Sequence, residues 1–307
     1  MLKVTLKWLI LKGRKKKMTP FNEKFKITEK TEHYNINLDG DTQKIVDPFV
    51  IYLCKDEFST KCSNDIADYF RELLESVRSN DISRGEYLTK YLQENNEVRL
   101  GYSENEPRGK GLGAKKGKEL LTNIRNSKAF QSGLIEDIFD ASIMLDKVGF
   151  DRISDLTVNI ILKNLIEFTQ HQCKKYNVPM KAQKLKRPVW NSDNKSWDFK
   201  NSYLLPFDDD DKPIILVPYL YVQRRPVYTY HRFYDLEMMP YYEKIALNNP
   251  SYGLVRILKR GTVPAKTKIR KKYPCLKNEV VDYIILHSNE YFDYKNRQIK
   301  YTKLNKV

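Results

Sequence analysis

Apolar residues recur along this chain with two spacings. From Phe25 to Leu53 the spacing is close to two: Phe25, Ile27, then Tyr34, Ile36, Leu38, then the run Ile45 to Leu53. Leu38-Asp39-Gly40-Asp41 reads as a turn, so the segment predicts a β-hairpin. Pro48 places an edge or a strand end near Asp47. From Ser63 the spacing becomes helical. Ile66, Phe70, Leu73, Leu74 and Val77 predict a helix over 65–79 with Ser63 as its cap, and a short helix follows over 84–93.

Residues 94–117 break the pattern and hold five of the twelve glycines, at 101, 109, 111, 113 and 117. Helices are then expected from about Lys118, over 129–147 and over 154–176. After Pro179 aromatics and prolines become frequent. Pro213-Ile-Ile-Leu-Val-Pro218, after the aspartate run 208–211, predicts a buried strand behind a solvated turn. A helix over 231–250, a strand over 252–258 and a final helix over 277–288 complete the pattern.

The class is α+β, helix-rich with a hairpin first, strand-containing and aromatic-rich second. The expected division is a basic extension 1–17 outside the fold (Met18 resembles a natural start), a helix-rich α+β domain 18–178, and an α+β domain 179–307 with a basic surface.

Composition narrows this further. Apolar residues make up 41% of 307, enough for a sizeable core and too many for a disordered chain. The longest apolar runs, such as 214–218, are far too short to span a bilayer. The N-terminal apolar stretch is short and followed by a basic cluster, unlike a secretory signal. Cys54, Cys62, Cys173 and Cys275 are scattered with no CxxC pair, which argues against structural zinc. The expected compartment is the cytoplasm, with no membrane partner.

The net charge of +16 is concentrated at the ends. Residues 1–17 carry seven cations and no acid; residues 256–307 carry 14 cations and four acids; the middle is near neutral. Within this, 256–278 holds nine cations and no acid: Arg256, Lys259, Arg260, Lys266, Lys268, Arg270, Lys271, Lys272 and Lys277. Tyr252 and Tyr273 lie beside or within the run. Such a surface suits nucleic-acid phosphates, with aromatics to stack on bases. A solvated face or a docking surface for an acidic partner protein is the competing reading; the lack of any compensating acid favours nucleic acid.

Two further groups could carry chemistry. Arg108, Lys110, Gly111, Gly113, Lys115 and Lys116 mix glycines with cations ahead of a helix, a pattern that can cradle phosphate or simply be a solvated loop. It matches neither the P-loop nor the dinucleotide fingerprint. Asp151, Asp155 and Asn159, spaced by four, share a helix face if the helix begins by Asp151. Two carboxylates and an amide suit Mg²⁺, so Asp151 and Asp155 are the candidate catalytic pair of a metal-dependent nuclease, with Asp47 and Glu97 as possible additions. The competing reading is helix capping, and no nuclease signature is present. His33, His171, His231 and His287 are isolated and read as structural.

The strings IVDPFVIYL (45–53), NEVRLGYS with RGKGLG (96–113), 149–173 and 205–226 resemble prokaryotic proteins encoded among antiviral-defence genes. The resemblance covers about residues 25–260 and departs from the pattern at Tyr219, where a lysine is expected. It implies an intracellular component of a phage-defence system with partner subunits, and carries over no activity or catalytic residue. The expected function is nucleic-acid engagement through the 256–278 surface and the glycine segment, with metal-dependent nuclease chemistry at Asp151 and Asp155 as the catalytic candidate. The rivals are a non-enzymatic subunit docking an acidic ATPase or effector, and a nucleotide sensor using the glycine segment.

Overall fold

A computed structural model describes residues 19–101, 112–199 and 202–302. Helix α1 (Phe21–Lys24) is one turn, and strand β1 (Ile45–Val46) runs straight into helix α2 (Pro48–Leu53). The cause is local. The Asp47 carboxylate accepts from the Phe49 amide, and Pro48 occupies the first turn, where its missing N–H costs no hydrogen bond. The run expected to form a second hairpin strand is therefore a buried helix. Antiparallel pairing does occur here, with other partners: Pro20 bridges Asn37, and His33 bridges Pro218.

Helix α3 (Glu57–Arg78) carries the predicted stripe Ile66, Phe70, Leu73, Leu74 and Val77 inward. It starts earlier than Ser63 because the Asp56 carboxylate caps it through the Ser59 amide. Asp81 caps helix α4 (Ile82–Thr89), and helix α5 (Leu112–Arg125) lies against α4. The approach is close enough that a Cβ on Gly117 would fall 2.7 Å from the Thr89 carbonyl oxygen.

The helix expected over 129–147 is two helices, α6 (Lys128–Gln131) and α7 (Ile138–Met144). Gly133 breaks it with φ +79°, and a capping box of Asp137 and Asp140 restarts it. Helices α8 (Phe150–Ile160) and α9 (Leu162–Lys175) divide the next predicted helix at Ile161.

Strands β2 (Lys181–Gln183), β3 (Val189–Asn191), β4 (Ser196–Asp198) and β5 (Tyr203–Leu205) follow; β3 pairs with β4 inside the antiparallel β2–β5 pair. Residues 214–217 are fully buried, as expected, but form no regular strand. Their groups bond to separate neighbours: the Ile214 amide to Pro206 O, Ile215 to Glu97 O and Leu216 to Thr169 Oγ1, while Val217 O accepts from Tyr34.

Strand β6 (Val222–Gln223) pairs with β1. Helix α10 (Tyr230–Phe233), a π-helical turn (Tyr234–Met238) and helix α11 (Met239–Asn248) replace the single helix expected there. Strands β7 (Val255–Leu258) and β8 (Gly261–Pro264) form a hairpin, and helices α12 (Lys266–Lys272), α13 (Lys277–Leu286) and α14 (Ser288–Tyr301) follow.

The fold is α+β, helices dominating its first half. One buried apolar cluster takes side chains from Val46 through Tyr294. At its centre Tyr228 stacks on Phe49 and Tyr294, with ring centroids 4.8 and 5.5 Å away, while Phe139 meets it edge-on. No helix among the described residues is long and apolar enough to cross a membrane.

Candidate functional site

Helix α8 presents Asp151 in its first turn, Asp155 one turn on and Asn159 one turn further, the succession expected from the spacing. Asp151 is exposed, Asp155 part-buried and Asn159 only 1% exposed. The chain from Gln93 to Glu97 lies along this face. Asn159 Nδ2 donates to Gln93 O and Asp155 O, both at 2.7 Å, and Asn95 Nδ2 donates to Asp155 O at 3.2 Å.

Two cations complete the group. Lys116 Nζ lies 3.0 Å from Glu94 Oε1. Arg187, 5% exposed, donates to Glu94 O at 3.3 Å and to Glu97 Oε2 at 2.9 Å. The Asp155 carboxyl is pushed up to about 7, first by burial, then by Glu94 and Asp151, against the pull of Lys116 and Arg187. Burial and Glu94 also raise Asp151.

Two buried atoms of this group, Asn95 Oδ1 and Arg187 Nε, have no hydrogen-bond partner among the described residues. A carboxyl that exchanges its proton near neutrality, beside two cations and unspent hydrogen-bonding groups, can act as an acid or base on an anionic substrate. Nothing in the local sequence marked Glu94, Asn95 or Arg187 as members. Arg187 reads there as one of several cations in Lys184-Leu-Lys-Arg187 and only the fold shows it buried.

The metal reading can be set against this geometry. Asn159 spends its amide nitrogen on main-chain carbonyls. Among the described residues, the group of three carboxylates close enough to hold an ion is Glu136, Asp137 and Asp140. There the ammonium of Lys295 already sits, 2.9 Å from Asp140, 2.8 Å from Asp137 and 3.4 Å from Glu136. Asp47 caps α2 and also accepts from the Val227 amide at 2.8 Å; burial pushes it up to about 6. Glu97 is the partner of Arg187.

Arg108, Lys110 and Gly111 lie outside the described residues. Gly113, Lys115 and Lys116 belong to the first turns of α5, which begins before the expected Lys118. Lys115 is exposed, and Lys116 turns to Glu94.

The C-terminal cations form a second surface. Arg256, Lys259 and Arg260 lie on the β7–β8 hairpin, whose two-residue connection is Lys259-Arg260. Lys266, Lys268, Arg270, Lys271 and Lys272 lie on α12. Some are engaged: Lys266 with Glu243, Arg270 with Asp235, Lys268 with Gly253 O, and Lys272 over the Tyr252 ring at 4.7 Å. Lys277 is turned inward onto Leu145 O and Val148 O. Arg256, Lys259, Arg260 and Lys271 are exposed and make no ion pair or hydrogen bond among the described residues. This surface packs on α11, whereas Lys115 and Lys116 stand on α5, which packs on α3 and α4.

His33 is buried between Asn22 and Gln172, and burial lowers its pKa. Asp208 closes the aspartate turn by accepting from the Asp210 and Lys212 amides and pairing with Arg99.

The model of a family described as a domain of unknown function, DUF8370, matches residues 24–229. That stretch includes the Asp155 group and ends before the basic hairpin. No curated protein and no solved structure matches the chain. With about two thirds of its residues inside the match, the chain belongs to the DUF8370 family.

Proposed function

We propose that this protein binds nucleic acid through the β7–β8 hairpin and helix α12, as a cytoplasmic component of a prokaryotic antiviral defence system with partner subunits. The observation that carries the binding is the set Arg256, Lys259, Arg260 and Lys271: four exposed cations without counter-charges on one continuous stretch. Lysine and arginine left uncompensated attract phosphates and release their counterions. The defence context rests on the resemblance of residues 45–53, 96–113, 149–173 and 205–226 to proteins encoded among defence genes.

The Asp155 group supports a second element, phosphodiester cleavage. Asp155 would move the proton, and Lys116 and Arg187 would hold negative charge. If Mg²⁺ takes part, Asp151 and Asp155 are the carboxylates that would hold it.

Labelled single- and double-stranded DNA and RNA, titrated with the full chain, test the binding. Reversing all four free cations to glutamate should abolish binding while leaving the circular dichroism unchanged. Unchanged binding would refute the assignment. Binding of an acidic protein with no affinity for any polynucleotide would replace it by the partner-docking reading. For cleavage, Asp155→Ala should remove Mg²⁺-dependent hydrolysis, and an inactive wild type under every divalent ion would end that part.

A further inference from the structure

The tip of the β7–β8 hairpin is apolar as well as basic. Ile257 is 86% exposed and Leu258 52% exposed, and they stand between Arg256 and the Lys259-Arg260 connection. Ile257 faces Thr262 across the ladder, and Leu258 faces Gly261, so both faces of the tip carry an aliphatic side chain beside cations.

The base of the hairpin is held firmly. Leu254 and Ala265 are buried, the Ala265 amide bonds to Leu254 O at 2.8 Å, and Lys268 Nζ reaches Gly253 O. The ribbon is anchored at its base, and none of the described residues shields Ile257 near its end.

Resting on the nucleic-acid reading, we infer that the hairpin is a duplex wedge: it enters the minor groove of B-form DNA and inserts Ile257 between base pairs, kinking the helix. Three observations fit one occupant. A two-stranded ribbon is an element that DNA grooves accept, and in the minor groove it seats as the duplex bends around an inserted side chain. An aliphatic side chain at the tip can part a base step, as apolar wedges do in the minor groove. Arg256, Lys259 and Arg260 flank that side chain and lie where phosphates on either side of the groove would pass. Lys271 on α12 extends the charge along the backbone.

The test uses the full-length protein and a duplex of about 30 base pairs, end-labelled for energy transfer, with a central TA step that bends easily. The wild type should raise transfer efficiency on binding, reporting a bend of about 20–90°. Ile257→Ser leaves the cations in place. It should bind about tenfold more weakly with an unchanged salt slope and give no rise in transfer. Lys259→Glu/Arg260→Glu should bind more weakly with a flatter salt slope. Binding by the wild type without a bend, or an equal bend by Ile257→Ser, overturns the wedge and leaves nucleic-acid binding standing. Failure to bind any polynucleotide removes both. Capture by phosphatidylserine vesicles but not by duplex also overturns the wedge, by showing that the tip seats in a lipid surface.

Discussion

Replacing Lys295 by methionine should destabilise the fold by about 3–5 kcal/mol at pH 7, the usual cost of removing one partner from a buried ion group. The magnitude follows from Asp140, which has no solvent exposure. Its carboxylate accepts from Tyr291 Oη at 2.5 Å, from Lys295 at 2.9 Å, and from the Glu136 and Asp137 amides. Burial already holds its pKa above the ordinary range, and Lys295 is the main opposing influence. Without the ammonium, a charged Asp140 remains in an apolar surround with Asp137 beside it.

The pH dependence has a definite sign. A carboxyl whose folded pKa exceeds its unfolded one binds more protons when folded, so stability falls as pH rises between the two values. The deficit of the variant should therefore be largest at neutral pH and shrink towards about pH 4. Urea unfolding of both proteins at pH 7 and pH 5, compared at equal m-values, measures it. A loss below about 1 kcal/mol, or one independent of pH, would refute the reasoning. Adding Asp140→Asn to the variant should restore much of the loss, since the uncompensated charge is gone.

Asp155→Asn should stabilise the protein by about 1–2 kcal/mol at pH 8, because it removes a half-desolvated carboxylate; the gain should fade below about pH 7 and be absent near pH 4, as read by thermal melts. A destabilised variant at pH 8 would mean that the charged form is held favourably by Lys116 and Arg187. Gly117→Ala should cost about 1–2 kcal/mol in chemical denaturation despite its better helix propensity, since the added methyl meets Thr89 backbone 2.7 Å away. A more stable variant would show that α4 and α5 can separate freely.

Much of the fold is legible where burial and periodicity agree. The stripe of α3 is placed by its spacing alone, and the solvent-free run 214–217 is recognisable by its β-branched composition. The difficulty begins where main-chain partners are remote. Nothing near 214–217 announces that its amides go to Pro206, Glu97 and a threonine hydroxyl, so a ladder is the natural expectation. Asp47-Pro48 offers both a strand end and a helix start; the Val227 amide, 180 residues away in sequence, helps fix Asp47 as the cap. Helix α14 is hidden because its buried positions are Tyr291, Tyr294, Lys295 and Gln298 rather than aliphatic residues.

The same logic governs the site. Spacing puts Asp151, Asp155 and Asn159 on one helix face. Besides burial and Asp151, the groups that tune the Asp155 proton affinity come from residues 94, 116 and 187 and are joined to it only by packing. Among the nine cations of 256–278, sequence cannot separate the free Arg256, Lys259, Arg260 and Lys271 from Lys266 and Arg270, whose carboxylate partners lie on α11 and the π-helical turn.

The central claim is that those free cations meet phosphates, and the salt dependence of polynucleotide affinity tests it most directly. With about four phosphates neutralised on a duplex, the logarithm of the association constant should fall against the logarithm of salt with a slope of about −3 to −4. Reversing Lys259 and Arg260 should flatten that slope by about 2. A wild-type slope near zero, or one that the reversal leaves unchanged, would contradict the account.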